Sequence, residues 1–248
     1  MRSFVLFLAP VLTLAMSSAW AEDIETHTGK VVSGHVAVRY RPGSRAGAAA
    51  PRVTAAAERD VRWICERLEL KPQKDVAVYV YDDVPALQAI TGRSGVGGFS
   101  DGTAVHVPYD NDQTRRHELV HLLAHRIPKT GQEERNRFFS EGIANAVLEY
   151  VHGVHVHAVA AFYRGREVLP KLETLIVGDF YAWQRAHPKT NGYDIAGSFV
   201  RFLLDTYGAE RVKRYLGGTP LRSALGQNQA TVEKRWLGAL DAYEMPPE

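Results

Sequence analysis

From Ile24 to Tyr40 apolar and polar residues alternate, with Val31-Val32 and His35-Val36-Ala37-Val38-Arg39-Tyr40 reading as strands and Gly29 and Gly34 as turns. Arg41-Pro42-Gly43-Ser44 breaks the alternation, Ala46 to Ala50 reads as a low-complexity mobile surface connection, and Pro51 leads into a helix running to about Leu70. Asp75 to Tyr81 predicts a buried strand, and Asp83 caps a short helix through Ile90 that Gly92 stops. The extended runs Gly95 to Ser100 and Thr103 to Pro108 flank Asp101-Gly102, a hairpin signal. After residue 108 the apolar period becomes helical. Helices are predicted from a cap at Asp112 to just before Pro128, from Phe138 to Val151, from Tyr193 to Leu204 with a stop at Tyr207-Gly208, and within Ala224 to Leu237. Weaker signals predict short helices between Ala158 and Phe180 and a loop from Arg185 to Gly192. Strands come early and helices late. The pattern therefore predicts an α+β fold with an N-terminal mixed sheet and a mainly helical C-terminal lobe.

The first residues change the picture of where the chain works. Met1-Arg2, an apolar run from Phe4 to Met16 and Ala19-Trp20-Ala21 have the layout of a secretory signal peptide cleaved after Ala21. Such a protein is periplasmic or secreted, with no stable membrane insertion once the signal is removed. Residues 22–248 then form a single domain of about 227 residues, enough for one substantial core. Of the 30 basic and 28 acidic residues only Arg2 lies in residues 1–21, so the mature chain is nearly neutral. That balance excludes nucleic acid as an expected partner. Cys65 is the single cysteine, so no internal disulfide forms, and its apolar neighbours mark it as a packed side chain. No internal repeat is present, and the oligomeric state is not written in the sequence.

Chemistry enters at Arg115-Arg116-His117-Glu118-Leu119-Val120-His121-Leu122-Leu123, a His-Glu-x-x-His inside a helical pattern. Residues four apart share a helix face, so His117 and His121 can direct ring nitrogens at one cation. Glu118 follows the first of them and is placed to accept a proton from a water on that cation. A catalytic zinc usually takes three protein ligands and keeps a fourth position for water. Glu141 lies twenty residues after His121, near the start of the next helix, and is the third candidate. His125 shares the face of His121, and a second-sphere or packing role suits it better, because the helix rise carries it about 6 Å further on. Glu133 and Glu134 fall in a polar loop over residues 129–137 and read as solvated charges.

His-Glu-x-x-His followed by Glu on the next helix resembles the gluzincin metallopeptidases, the thermolysin-like superfamily, and Ser140-Glu141-Gly142-Ile143-Ala144-Asn145 is similar to its small bacterial peptidase MA-like branch. The resemblance covers about residues 75–240. It implies a zincin-like fold with the active site between two lobes, a Zn2+ cofactor, a peptide or protein substrate, and a sheet edge over residues 98–108 that pairs with extended substrate. Two positions depart from the family pattern. Asn145 stands where thermolysin-like enzymes carry a carboxylate that holds the first histidine. In related aminopeptidases a tyrosine of a Tyr-x-x-Gly motif donates to the oxyanion; here Tyr193 precedes Gly197 with three residues between them. Tyr193 is the expected oxyanion donor, with His157 and His187 as other candidates. A second reading is a zinc-holding envelope protein without catalysis, derived from a peptidase; the intact Glu118 argues against it. His152-Gly153-Val154-His155-Val156-His157 has alternation that would put His155 and His157 on one side of an extended segment, either as an auxiliary site or as idle exposed histidines.

Overall fold

A computed structural model describes residues 26–128 and 137–245. The residues expected to form a signal peptide, and residues 129–136 of the stretch expected to be a polar loop, with Glu133 and Glu134, lie outside the described residues.

Five strands, β1 (Gly29–Ser33), β2 (Val36–Tyr40), β3 (Val76–Tyr81), β4 (Phe99–Ser100) and β5 (Ala104–Pro108), build one sheet in the order β1-β2-β3-β5-β4. The hairpin β1–β2 turns at Gly34, which has φ 54°. β2, β3 and β5 run parallel. Parallel neighbours need crossovers, and these are α1 (Arg45–Arg67) between β2 and β3 and the segment carrying α2 (Val84–Thr91) between β3 and β5. The two-residue strand β4 returns antiparallel to β5 and forms the edge. Gly29, expected as a turn, is instead the first residue of β1: a Cβ there would lie 2.3 Å from the Tyr40 ring, so the glycine makes room for a cross-strand aromatic.

The alanine-rich stretch is not a connection. Ser44 caps α1 by accepting from the Gly47 amide at 2.9 Å, and Ala46 and Ala50 are buried against the sheet, where small side chains allow the helix to lie close. Pro51 sits inside the helix, which ends at Arg67. Asp83 and Gly92 bound α2 as expected.

The helix α3 (Asp112–Ala124) carries the His-Glu-x-x-His motif. Its cap is Asn111, accepting from the Thr114 amide at 2.9 Å; Asp112 lies one residue inside and pairs with Arg115. Arg115 is buried, and its guanidinium reaches Asp60 of α1 at 2.8 Å while Arg116 holds the other oxygen of Asp60 at 3.0 Å. Removing one partner of such a buried pair costs about 3–5 kcal/mol. Together with Leu119, Val120, Leu122 and Leu123, buried in the main core, this clamp fixes the motif helix.

The C-terminal lobe follows with α4 (Arg137–Leu148), the short hairpin β6 (Tyr150–Val151) and β7 (Val154–His155), then α5 (Val156–Gly165), α6 (Leu172–Val177), α7 (Phe180–Ala186), α8 (Gly192–Tyr207), α9 (Ala209–Leu216), α10 (Leu221–Leu225) and α11 (Gln229–Ala239). The second helix stops at Leu148 rather than Val151, because Glu149 takes φ 64° and directs the chain into the hairpin. The expected closing helix is two helices, parted at Gly226 with φ 75° and restarted by the cap Asn228. α4 and α8 meet almost backbone to backbone. A Cβ on Gly142 would lie 2.9 Å from the Ala196 carbonyl, and one on Gly197 would lie 2.6 Å from Asn145 Cβ. Among the described residues no helix is long and apolar enough to cross a membrane.

Candidate metal centre

α3 and α4 pack together and bring three donors to one point. His117 Nε2 and His121 Nε2 are 3.0 Å apart, and each is 3.3 Å from Glu141 Oε2. Two ligand atoms on a tetrahedral zinc with bonds of about 2.1 Å are separated by about 3.4 Å. The donor spacing fits such an ion, and the two-imidazole, one-carboxylate set is a known catalytic zinc set. The electrostatics agree. Burial opposes charge on Glu141, yet the hydrogen bonds from His117 and His121 hold its carboxyl well below the usual carboxylate range. Burial likewise opposes protonation of His117, and its bond to Glu141, the charges of Glu118 and Glu141 and its bond to Asn145 together outweigh this and raise its affinity for a proton. The pocket demands positive charge, which a metal cation supplies in place of the proton.

A second layer fixes the first. His117 Nδ1 donates to Asn145 Oδ1 at 3.1 Å, which leaves the Nε2 lone pair for the ligand side. Asn145 Nδ2 in turn donates to Asp194 Oδ1 at 3.2 Å, and Asn191 Nδ2 donates to Asp194 Oδ2 at 2.7 Å. Only one orientation of the Asn145 amide satisfies both neighbours. The charge missing at position 145 is thus present one residue further out, on α8, where the Gly197 contact seats Asn145 against the helix. Burial pushes the Asp194 carboxyl up to about 6. Glu141 is steadied from the other side by Tyr181, whose hydroxyl donates to Oε1 at 2.8 Å. Sequence reasoning missed Asp194 and Tyr181. Both follow Asn or Asp caps of later helices, and no spacing rule links them to residues 117–141.

Glu118 is half-buried and accepts a hydrogen bond from the backbone amide of Ser100 on β4. Burial raises its carboxyl from the ordinary value, the direction that makes a better base. The edge strand expected over residues 98–108 is therefore beside this carboxylate, although regular pairing covers only Phe99 and Ser100 on its outer strand.

Two cavities meet at His117, Glu118, Gly98 and Tyr193, of about 640 and 370 Å³. Tyr193 lines both, and among the described residues its hydroxyl has no hydrogen-bond partner. Burial, then the charge of Glu141, raises its pKa, so it stays a neutral donor. Neither His157 nor His187 lines the two cavities. His187 stacks on Trp183 with ring centroids 4.5 Å apart and bonds its carbonyl. His157 is buried, with Nδ1 at 2.8 Å from Ser198 Oγ, which also accepts from Trp236 Nε1 at 3.0 Å. This Ser-His pair is closed off from solvent and is packing. His155 and His157 do not lie on one side of an extended segment: His155 caps α5 and His157 lies in its first turn. His152, at φ 51° in the hairpin, lines the smaller cavity. His125 follows the end of α3 and is exposed at the larger cavity, so of the second-sphere or packing role expected for it, packing is not what it does.

No family model matches the chain, and no curated protein matches it in sequence. Solved structures do. A Glu-to-Ala mutant of the M1 zinc metallopeptidase from Deinococcus radiodurans is similar over 88% of this chain and 52% of its own, at 16% identity and a TM-score of 0.52. The same enzyme bound to a Tyr-Ser-Ala substrate is similar over 88% and 52%, at 16% identity and a TM-score of 0.51. The chain spans about half the length of these structures. At this identity the likeness concerns the fold: the chain has an α+β fold resembling that of M1 zinc metallopeptidases, with a three-residue group that could hold a metal where its two lobes meet.

Proposed function

We propose that the chain is an exported zinc-dependent peptidase that hydrolyses peptide bonds at the centre formed by His117, His121 and Glu141. The observation that carries this reading is the convergence of those three donors beside a half-buried Glu118 at the meeting of two open cavities. The fold likeness to zinc metallopeptidases, one of them bound to a tripeptide substrate, supports it. Export to the periplasm or beyond rests on residues 1–21 alone.

His117, His121 and Glu141 would hold a zinc ion, which would supply a Lewis acid for a carbonyl and lower the pKa of a water towards about 7. The remaining work belongs to the chain. Glu118, oriented by the Ser100 amide, accepts the proton of the attacking water on its carboxylate and returns it to the leaving nitrogen. Tyr193 donates its hydroxyl hydrogen to the carbonyl oxygen as that oxygen gains charge. Asn145 and Asp194 keep His117 in the tautomer that presents Nε2, and Tyr181 keeps Glu141 in place. β4 offers backbone groups to an extended peptide at the edge of the sheet.

The test is metal content and peptide cleavage on the mature chain, beside His117→Ala, Glu141→Ala and Glu118→Gln. The reading predicts one zinc per chain, lost in the first two variants, and chelator-sensitive cleavage. Glu118→Gln is expected to keep zinc and lose turnover by orders of magnitude. Full hydrolysis by Glu118→Gln, or a wild-type chain without stoichiometric metal, would refute the reading. Zinc without any cleavage would favour the rival, a zinc-holding envelope protein without catalysis.

A further inference from the structure

Tyr193 and Asp194, the two residues that α8 sends to the candidate centre, both lie in the first turn of that helix. A helix start carries amides that have no partner inside the helix, and it is where helices fray. Here three successive amides are taken by side chains. Asn191 N donates to Tyr163 Oη at 2.9 Å, Gly192 N to Gln184 Oε1 at 2.6 Å, and Tyr193 N to Asn191 Oδ1 at 3.0 Å. The last of these is a local cap. The other two acceptors come from elsewhere in the lobe, Tyr163 from α5 and Gln184 from α7.

Gln184 also holds the connection that leads into α8. Its Nε2 donates to the Thr190 carbonyl at 2.9 Å and to the His187 carbonyl at 3.4 Å, while its Oε1 takes the Gly192 amide. A carboxamide accepts and donates at once, which neither a carboxylate nor a thioether does. Thr190 and Gly192 are buried, so loss of this side chain leaves a donor and an acceptor unmet. The approach is close as well. A Cβ on Gly192 would lie 2.9 Å from Gln184 Oε1 and 3.0 Å from the Trp183 ring. The ring of Tyr193 stands edge-on to buried Phe180, with centroids 5.3 Å apart at 75°. α7 therefore seats both the backbone and the tyrosine of this first turn.

We propose that Gln184 and Tyr163 are positioning residues for the candidate centre: together they latch the first turn of α8, and so set where Tyr193 and Asp194 stand. Neither residue lines the two cavities. Each acts through the residue it holds. Through Tyr193 the latch aligns a hydroxyl donor in the cleft, where a misplacement of about 1 Å costs rate steeply. Through Asp194 it backs Asn145, which in turn orients His117. The first of these effects rests on the peptidase reading, whereas the second is a matter of metal affinity and needs no turnover.

The experiment uses the full mature chain and the variant Gln184→Met, which keeps the length of the side chain and removes its donor and its acceptor. Tyr163→Phe, which removes one oxygen, keeps the test open should Gln184→Met not fold; the same pattern is expected of it, with smaller effects. Three readouts are taken. Amide exchange on the metal-free chain should show Gly192 protected in wild type and exchanging at least about ten-fold faster in Gln184→Met. Zinc affinity, by chelator competition, should fall several-fold, and no further when Asp194→Asn is added. On the zinc-loaded chain kcat should fall about ten-fold with KM nearly unchanged, and that fall should vanish in a Tyr193→Phe background. A residue that only stabilises the fold would lower activity equally in both backgrounds. Equal losses in the two backgrounds overturn the proposal, as do wild-type zinc affinity in Gln184→Met or a Gly192 amide that is unprotected in wild type. The two readings fail separately. Cleavage by wild type with none of these effects removes the latch and leaves the peptidase. Gln184-dependent protection and zinc affinity without cleavage of any peptide remove the peptidase and leave the latch as a support of the metal centre.

Discussion

Asp194→Asn should destabilise the metal-free chain at pH 4 and no longer do so at pH 8. The carboxyl of Asp194 is buried, with 6% of its residue surface exposed, and burial raises its pKa from 3.8 to about 6, against the smaller opposing pull of His152, Asn145 and His117. The folded chain therefore holds this proton where the unfolded chain has released it, and stability falls as pH rises from 3.8 to about 6. At roughly 1.4 kcal/mol per tenfold change in proton affinity, the loss is about 3 kcal/mol once pH exceeds both values. Asparagine has no such charge to bury, but it introduces a different fault. Asp194 accepts from two amides, Asn145 Nδ2 and Asn191 Nδ2, and a carboxamide presents only one oxygen, so one pair becomes donor against donor. That mismatch costs about 1–3 kcal/mol at any pH. The variant is thus expected to be less stable than wild type at pH 4, by about that amount, and as stable or more stable at pH 8. Urea unfolding of both chains without metal, at the two pH values, measures the difference directly. Zinc affinity, by chelator competition at pH 7.5, should fall several-fold, since His117 then leans on an amide with no charge behind it. An equal destabilisation at pH 4 and pH 8 would show that the Asp194 charge is not buried at a cost, and the account of the Asn145–Asp194 relay would be wrong.

Other outcomes follow from the same geometry. Tyr193→Phe should lower kcat by roughly 10²-fold with zinc content unchanged, whereas Tyr181→Phe should weaken zinc binding by about 10–100-fold; the reverse pattern in kinetics and chelator competition would exchange their roles. Gly197→Ala forces a Cβ to within 2.6 Å of Asn145 Cβ and is expected to cost about 1–3 kcal/mol by overpacking, with a parallel loss of zinc affinity; a variant of wild-type stability and affinity would contradict the close crossing of α4 and α8. Burial, aided by His155 and Arg201, lowers the pKa of His157 from 6.5 to about 4, so the unfolded chain takes up this proton first and wild type loses stability as pH falls from 6.5 to 4. His157→Phe should remove a loss of about 3 kcal/mol from that interval. Unfolding curves of equal pH dependence for the two chains would disprove it.

The sequence alone determined the elements whose causes are local. Asp83 and Gly92 bound α2 because a carboxylate can accept the first free amides and a glycine can take the left-handed turn, and both effects act over three or four residues. His117, Glu118 and His121 are fixed relative to one another by the helix repeat, so the heart of the site was legible in five residues. Glu141 was legible as a carboxylate at the start of the next helix. Where the cause lay elsewhere in the chain, the reading failed. The stretch Ala46 to Ala50 looks featureless because small side chains say nothing until a sheet lies beneath them; only packing makes them the buried face of α1. Gly29 looks like a turn, and only the ring of Tyr40 across the strand gives it another reason.

Tertiary structure alone decided how the site is supported. Asp60 reaches Arg115 across 55 residues, and Asp194 reaches Asn145 across 49 where a close crossing of α4 and α8, permitted by Gly142 and Gly197, brings them together. Tyr181 comes to Glu141 and Tyr193 to the cleft by the same folding of a distant segment. Hydrogen bonds and ion pairs act over a few ångströms in space, with no fixed period in sequence. A helix motif therefore announces itself in the sequence, while the partners that orient its side chains become visible only when the chain has closed around them.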